Sequence, residues 1–307
     1  MTAPRLTRRA FVRAGLAGAA AGLLPGCGPT TTGAATEVAP PFEPGKPLPW
    51  RNWAGNQACR PAARAAPTSE EQMLSLLTAG EGALRPVGSG HSFSALVPSD
   101  GTLVASDLLA GLVATDAERV QAEVWAGTRL HQLGPLLQAH DQALPNLPDM
   151  AYPTLGGALA TSTHGTGPRF GSLSSMVEGL VLATPSGALL ECSRERNPEV
   201  FHAARCSLGA LGVVTRVRLQ NQRAFQLVET ARFEPLEDVL EDVEQRRDRH
   251  RHFELFAFPQ ASLAQVIETD EDDGSAEPLG EEDPQAVYQL RDVYRRVGGV
   301  PGLGRVL

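Results

Sequence analysis

Two short stretches hold the residues that could do chemistry. The first is Arg85-Pro-Val-Gly-Ser-Gly-His-Ser-Phe93. Gly88 and Gly90 let the backbone take positive φ and lie against a ligand, with N–H groups turned outward as an anion nest. His91, at the end of that turn and beside two hydroxyl side chains, presents a nucleophilic ring nitrogen to whatever the nest holds. On its own the stretch would also suit a surface turn with a solvated histidine. The second stretch is Leu155-Gly-Gly-Ala-Leu-Ala-Thr-Ser-Thr-His-Gly-Thr-Gly167. Gly156, Gly157, Ala158 and Ala160 are nearly free of side chain, so backbone can approach a ligand closely. Thr161, Ser162 and Thr163 supply hydroxyls, and Gly165 and Gly167 a second turn. Tight helix packing through small residues accounts for Gly156 to Ala160, but not for the hydroxyls or the His164-Gly-Thr-Gly167 turn. The run has no Lys of a Walker phosphate loop and no Gly-x-Gly-x-x-Gly after a strand, so a P-loop nucleotidase and a Rossmann dehydrogenase both fit poorly. Leu208-Gly-Ala-Leu-Gly-Val-Val214 is a third patch of bare backbone.

The elements that must position these stretches can be read coarsely. Thr68-Ser-Glu-Glu71 reads as a capping box, opening a helix with Met73, Leu74 and Leu77 on one face and Gly80 at its end. A strand over residues 83–88 then delivers His91 to a strand end, where α/β proteins put their ligands. Val120, Ala122, Val124 and Ala126 alternate as a half-buried strand. Leu130, Leu133, Leu136 and Leu137 follow at helical spacing, and Pro135 inside that helix should kink it. Residues 177–183 and 188–193 read as a hairpin around Thr184-Pro-Ser-Gly187. Asn197-Pro198 predicts an N-cap with Pro at N1 and a short helix to Arg205. Val213, Val217 and Leu219 alternate with Arg216 and Arg218 as another strand. Strands over 224–232 and 252–258 flank a helix from Pro235 with Leu236, Val239, Leu240 and Val243 on one face. Val287, Leu290 and Tyr294 predict a last helix.

The N-terminus does not read as part of the fold. Thr7-Arg8-Arg9-Ala10-Phe11 puts twin arginines before an uncharged run, Ala14 to Leu24. That run is shorter than the roughly 20 residues of a bilayer span and matches the apolar part of an export signal for folded proteins. Leu24-Pro25-Gly26-Cys27 resembles a bacterial lipoprotein cleavage site, and a lipid on Cys27 is expected; an ordinary signal with a chance cysteine is the alternative. Residues 28–49 are rich in Gly, Pro, Thr and Ala and read as a flexible tether. The formal charge of −8 argues against nucleic acid as partner. The acidic run Glu268 to Asp283 reads as a solvated loop without calcium-loop spacing. Of 4 cysteines, Cys59, Cys192 and Cys206 remain after Cys27, with no zinc-ligand spacing. No structural metal and at least one free thiol are expected, and a Cys192–Cys206 disulfide stays open.

The chain resembles the FAD-linked sugar-lactone and alditol oxidases of the vanillyl-alcohol-oxidase (PCMH-type FAD-binding) superfamily, which includes the D-arabinono-1,4-lactone oxidases. Five motifs carry the resemblance in order: Asn52-Trp-Ala-Gly-Asn56, Gly88-Ser-Gly-His-Ser-Phe93, Ala143-Leu-Pro-Asn146, Ala160-Thr-Ser-Thr-His-Gly-Thr-Gly167 and Leu208-Gly-Ala-Leu-Gly-Val-Val-Thr215. It implies an α+β protein, a two-subdomain FAD-binding domain over residues 50–222 followed over 223–307 by the incomplete start of an α+β substrate (cap) domain. A twin-arginine lipoprotein signal over 1–27 and a linker over 28–49 would precede them. The protein is then expected outside the cytoplasm, in the periplasm or on the cell surface, touching the membrane only through the lipid.

The resemblance also implies site residues. Val87, Gly88, Ser89, Gly90, His91 and Ser92 would cradle the FAD phosphates, with His91 bonded to the flavin 8α-methyl group. A covalent link prevents cofactor loss outside the cell and should make the flavin a stronger oxidant. Thr154, Gly157, Thr161, Ser162, Thr163, His164 and Gly165 would line the pyrophosphate and ribityl chain, and Val214 the adenine end. Asp149 falls where alditol-oxidising relatives have a serine near the flavin ring, a departure that weighs against alditols. Pro148 falls where relatives set oxygen access, and is similar to oxidases. The family's substrate-binding acid, base, arginine and His-x-Gly-Lys motif have no counterpart before Leu307. No residue is therefore assigned as catalytic base; His164, inside the cradle, reads as structural.

The expected reaction is hydride transfer from a hydroxyl-bearing carbon of a sugar-derived lactone or polyol to flavin, with O2 as acceptor and H2O2 as product. A covalent-flavin dehydrogenase with another acceptor is the alternative. An inactive flavin-binding lipoprotein and a tethered binding protein without cofactor are the non-enzymatic ones. The face of Leu236, Val239, Leu240 and Val243 is expected to lie uncovered and to lower solubility.

Overall fold

The computed structural model describes residues 47–79, 82–257, 262–272 and 274. The expected export signal, the expected tether as far as residue 46, Gly80, Phe258, the acidic run beyond Asp272 apart from Gly274, and the helix expected around Val287 to Tyr294 lie outside the described residues. The elements below belong to one compact unit ending at Glu271; a second unit begins at Asp272.

Three sheets of three or more strands organise that unit, beside two two-stranded ribbons. The first is parallel, with Thr102–Ala105 between Ala63–Ala65 and Leu84–Val87. Parallel neighbours need crossovers. Helix Glu70–Ala79 supplies the crossover into Leu84–Val87. The second runs from Val87 to Thr102 and contains the Gly88–Phe93 turn, so the turn hangs from the end of a strand. The helix buries Met73 and Leu77. Its cap lies one residue later than the sequence suggests. Ser69 Oγ accepts from Gln72 N at 3.2 Å, and the Gln72 side chain accepts from Thr68 N at 2.9 Å.

The second sheet has five antiparallel strands in the order Leu189–Ser193, Val177–Ala183, Val213–Gln220, Gln121–Trp125, Leu112–Asp116. Alternate side chains of its strands, among them Ala122, Val124, Val217 and Leu219, turn into the main core. Opposite them pack helices Leu130–Gln138, Leu155–Ala160 and Pro198–Ala204 through Leu130, Leu133, Leu137, Leu155, Leu159 and Phe201, all buried. The first of these helices contains Pro135 as one uninterrupted element. Asn197 precedes Pro198 as expected but does not cap with its side chain. It takes a left-handed conformation (φ 52°), and its Nδ2 donates to Glu191 O at 2.8 Å. No disulfide joins Cys192 to Cys206. Cys192 is buried behind the sheet, Cys206 is exposed, and Cys59 is also a free thiol.

Helix Glu70–Ala79 seals the two sheets together. Met73 and Leu77 share a cluster with Ala183 and Val213 of the second sheet. At the helix start Glu70 accepts from Thr215 Oγ1 at 2.6 Å and pairs with Arg216 Nε at 3.0 Å, and Arg216 also reaches Glu123 at 2.8 Å.

The third sheet is antiparallel, in the order Leu227–Pro235, Leu263–Glu271, His252–Ala257. Helix Leu236–Arg249 covers one face, over buried Ala264 and Val266. Only Val239 of its expected apolar stripe is fully buried; Leu236 and Val243 are half-buried and Leu240 is 54% exposed. Ion pairs do the rest of the joining: Arg232 with Glu268 at 2.6 Å and Arg246 with Glu234 at 2.9 Å. The fold is α+β.

Candidate cofactor site

The two glycine stretches meet. A Cβ on Gly88 would collide with Thr154 Oγ1 and lie 3.4 Å from Gly157 Cα; one on Gly157 would lie 3.0 Å from Thr154 Oγ1 and 3.7 Å from Gly88 Cα. Only glycine fits at Gly88, and the two segments meet glycine to glycine beside the Thr154 hydroxyl. Thr154 is fully buried between them, where its Oγ1 accepts from Gly157 N at 3.3 Å and caps helix Leu155–Ala160. Gly156 answers a different need. A Cβ there would press on Ala126 at 3.1 Å, so this glycine serves helix-to-sheet packing.

The Asn52–Asn56 motif clamps the histidine turn from the other side. Trp53 N donates to Gly90 O at 2.8 Å, Asn52 Nδ2 to Ser92 O at 3.0 Å and Asn56 Nδ2 to Phe93 O at 3.0 Å. Gly90 takes φ +68°, with the Trp50 ring 3.1 Å from where a Cβ would sit. The Trp53 indole stacks on His91, centroids 5.0 Å apart and planes 23° from parallel. Partial burial, and then the nearby Arg129 charge, push the His91 pKa below its ordinary value. At neutral pH the imidazole is therefore uncharged, with a free lone pair on one ring nitrogen.

Arg129 is a site residue that the sequence reading missed. Its Nη1 donates to Ser89 Oγ at 3.0 Å and to Tyr152 O at 3.3 Å, and its Nη2 pairs with Asp107 at 3.3 Å. Ser89 Oγ itself donates to Tyr152 O at 2.9 Å. An isolated antiparallel bridge ties the Arg129 backbone to Thr154. The only local signal was a cation standing between a strand and an apolar helix.

The Thr161–Gly167 run follows directly. Thr161 Oγ1 donates to Gly157 O at 3.2 Å and lies 3.2 Å from Thr163 Oγ1. Ser162 has φ 54°. His164 is exposed, its Nδ1 2.8 Å from Gly165 O, held by its own turn. A Cβ on Gly165 would collide with Leu147 O and lie 2.6 Å from Asn146 Oδ1. Buried Asn146 donates to Thr166 O at 3.0 Å. The Ala143–Asn146 motif is thus the floor of this turn, and Asp149 lies exposed on the loop leading from it. The third patch joins through Leu208 N, which donates to Ala160 O at 3.3 Å, and through Gly209, packed on Pro86. Val214 pairs with Leu182 in the five-stranded sheet and packs half-buried on the main core.

The open face of the third sheet reaches the same turn. His252 Nδ1 lies 3.0 Å from Thr166 O and 3.3 Å from Thr166 Oγ1. The pleat puts Glu254, two residues on, on the same face. Burial first, then the charges of Asp149 and Glu229, push the Glu254 pKa up, against a hydrogen bond from Thr166. Arg251 holds the sheet in place: its guanidinium lies 4.5 Å over Phe170 and 4.7 Å over Phe225, and Nη2 donates to Pro145 O at 2.7 Å. Neither Glu254 nor Arg251 was legible as a site residue, because the contact of this sheet with the turn is tertiary.

A backbone cradle closed to any Cβ, hydroxyls along one run and an uncharged histidine at its mouth fit FAD. The family model described as an FAD binding domain matches residues 61–193, and that of D-arabinono-1,4-lactone oxidase matches residues 217–293. L-gulonolactone oxidase of Bos taurus is 36% identical over 73% of this chain and 52% of its own length. L-gulono-1,4-lactone dehydrogenase of Mycobacterium tuberculosis is 37% identical over 70% of this chain and 50% of its own length. The chain spans about half the length of these relatives. Cholesterol oxidase from Brevibacterium sterolicum shares the fold, with a TM-score of 0.68 at 18% identity over 81% of this chain and 54% of that one. With both family models matched in the order in which the motifs run, the chain carries an FAD binding domain and part of a D-arabinono-1,4-lactone oxidase domain, and is similar to the FAD-linked sugar-lactone oxidases and dehydrogenases.

Proposed function

We propose that the protein is an FAD-dependent oxidoreductase that oxidises a hydroxyl-bearing carbon of a sugar-derived lactone or polyol, with O2 as acceptor and H2O2 as product. The observation that carries the reading is the backbone contact of Gly88 with Gly157 beside His91. Bound FAD supplies the two-electron acceptor for a hydride leaving the substrate carbon. Val87 to Ser92, Gly157, Thr161 to Gly165 and Val214 would hold the cofactor, with buried Thr154 setting the turn from behind and Asp149 by the flavin ring. His91 would be the residue that tethers it, through an uncharged ring nitrogen, with Trp53 stacked on that ring. The open sheet face with His252 and Glu254 is the substrate wall, bringing polar groups to an otherwise half-apolar surface. Pro148 supports O2 as acceptor. The dehydrogenase named among the relatives supports the second reading, in which another carrier takes the electrons.

Two measurements test this. Acid-precipitated protein stays yellow if the flavin is covalent, and His91→Ala protein loses the colour on precipitation. Lactone added to holoprotein yields peroxide in air; dye reduction without peroxide would point to the dehydrogenase. The export signal supports a further proposal, that the protein is carried across the membrane by the twin-arginine route and anchored outside the cytoplasm by a lipid on Cys27. No helix among the described residues is long and apolar enough to cross a membrane. Cys27→Ser should then release the protein from membranes, and unchanged retention would refute the lipid anchor.

A further inference from the structure

We propose that Arg129 is a cofactor-binding residue whose guanidinium meets the diphosphate of FAD at the Gly88–Ser89 turn. The proposal rests on FAD as the cofactor and concerns a residue outside the glycine motifs. Arg129 is built into the cradle at two levels. Its backbone bridges to Thr154, the buried threonine wedged between Gly88 and Gly157. Its guanidinium is held by Ser89 Oγ at 3.0 Å, Tyr152 O at 3.3 Å and Asp107 at 3.3 Å. Those bonds fix the planar group beside the anion nest. They use both Nη1 donors and one on Nη2. The Nε donor and the second Nη2 donor make no hydrogen bond among the described residues. The side chain is 38% exposed, so these donors can still meet a ligand.

Charge accounting favours the same assignment. A diphosphate ester brings two negative charges into a turn whose other donors are neutral backbone N–H groups and hydroxyls. Asp107 offsets part of the Arg129 charge, but it lies on the Nη2 side and is itself 39% exposed, so its offset is screened. Arginine presents a rigid fork of donors that matches phosphate geometry, and such charge-assisted bonds are about twice as strong as neutral ones. Ser89 Oγ is already committed to Tyr152 O. Its part is therefore to aim the guanidinium, leaving the contact to Arg129.

The experiment uses the full chain carrying His91→Ala, so that flavin is held reversibly, with and without Arg129→Gln or Arg129→Lys. FAD, ADP and riboflavin are titrated into flavin-free protein. ADP has the diphosphate without the isoalloxazine, and riboflavin the isoalloxazine without phosphate. Arg129→Gln should weaken FAD and ADP by about tenfold or more, the scale of a lost charged hydrogen bond, and leave riboflavin within about twofold. Arg129→Lys should recover part of the loss. An unchanged ADP affinity overturns the proposal, as does equal weakening of riboflavin and FAD, which would mean that Arg129 only shapes the turn. If the His91→Ala protein with Arg129 intact binds no FAD at all, the flavin reading falls and the proposal falls with it.

Discussion

Gly88 and Gly157 stand so close that a β-carbon on Gly88 would lie 3.4 Å from the α-carbon of Gly157 and overlap the hydroxyl of Thr154. Gly88→Ala must therefore push Thr154 off its cap or separate the turn from helix Leu155–Ala160. Overpacking of this kind costs about 1–3 kcal/mol. The expected outcome is a lower midpoint in chemical denaturation and loss of bound flavin. Gly156→Ala, which presses only on Ala126, should be destabilising while leaving flavin bound. Equal flavin loss in both variants would argue against a special role for the Gly88 contact.

The contrast shows what could be read in advance. Glycine requirements are local, so the turns at Gly88 and Gly165 were visible from residue types alone. The partners that make them necessary are not local. Thr154, Leu147 and Asn146 oppose glycines far along the chain, and Arg129 and Glu254 enter the site from elements whose own patterns speak only of helix and strand. Caps were read nearly right. Thr68 and Ser69 can both accept from a helix N–H, and tertiary packing of Met73 and Leu77 picks the register that favours Ser69. Asn197 stands at the N-cap before Pro198 as expected, but asparagine also tolerates the left-handed region, and its amide goes to Glu191 O instead of a helix N–H.

Trp53 shields His91. Stacking at 5.0 Å removes water from one face of the imidazole, and burial is the leading cause of its lowered pKa. In flavin-free protein, Trp53→Ala should raise the His91 pKa toward its ordinary value, read by NMR titration of the ring protons. Arg129→Gln should raise it less, because the charge is the smaller cause. A pKa unmoved by Trp53→Ala would show that other groups desolvate the ring.

Glu254 should give stability a pH dependence of definite sign. Burial, Asp149 and Glu229 raise its pKa in the folded state. Its contribution is fully present below the unfolded value, where the carboxyl is protonated in both states, and is lost as pH rises through the folded value. Glu254→Gln carries a permanently neutral side chain of the same shape. It should melt higher than the parent near pH 8, and the gap should close toward pH 4. A variant that melts lower at pH 8 would mean that the Thr166 hydrogen bond outweighs the repulsion.

Arg251 is the remaining test, since it decides whether the third sheet stays on the cofactor turn. The guanidinium lies between Phe170 and Phe225, pairs with Glu271 and donates to Pro145 O at 2.7 Å. It is largely desolvated, which lowers its pKa without discharging it. Arg251→Ala removes two cation–π contacts, the charged hydrogen bond to Pro145 O and the pair with exposed Glu271, together about 2–4 kcal/mol. Arg251→Lys keeps the charge but not the planar stack, so it should recover only part of the loss. Hydrogen exchange separates the consequences. Amides of Leu227–Pro235, His252–Ala257 and Leu263–Glu271 should exchange faster in Arg251→Ala, while those of the five-stranded sheet keep their protection. Uniform loss of protection across both sheets would show that they unfold as one, with Arg251 supporting the whole unit rather than the seating of one sheet.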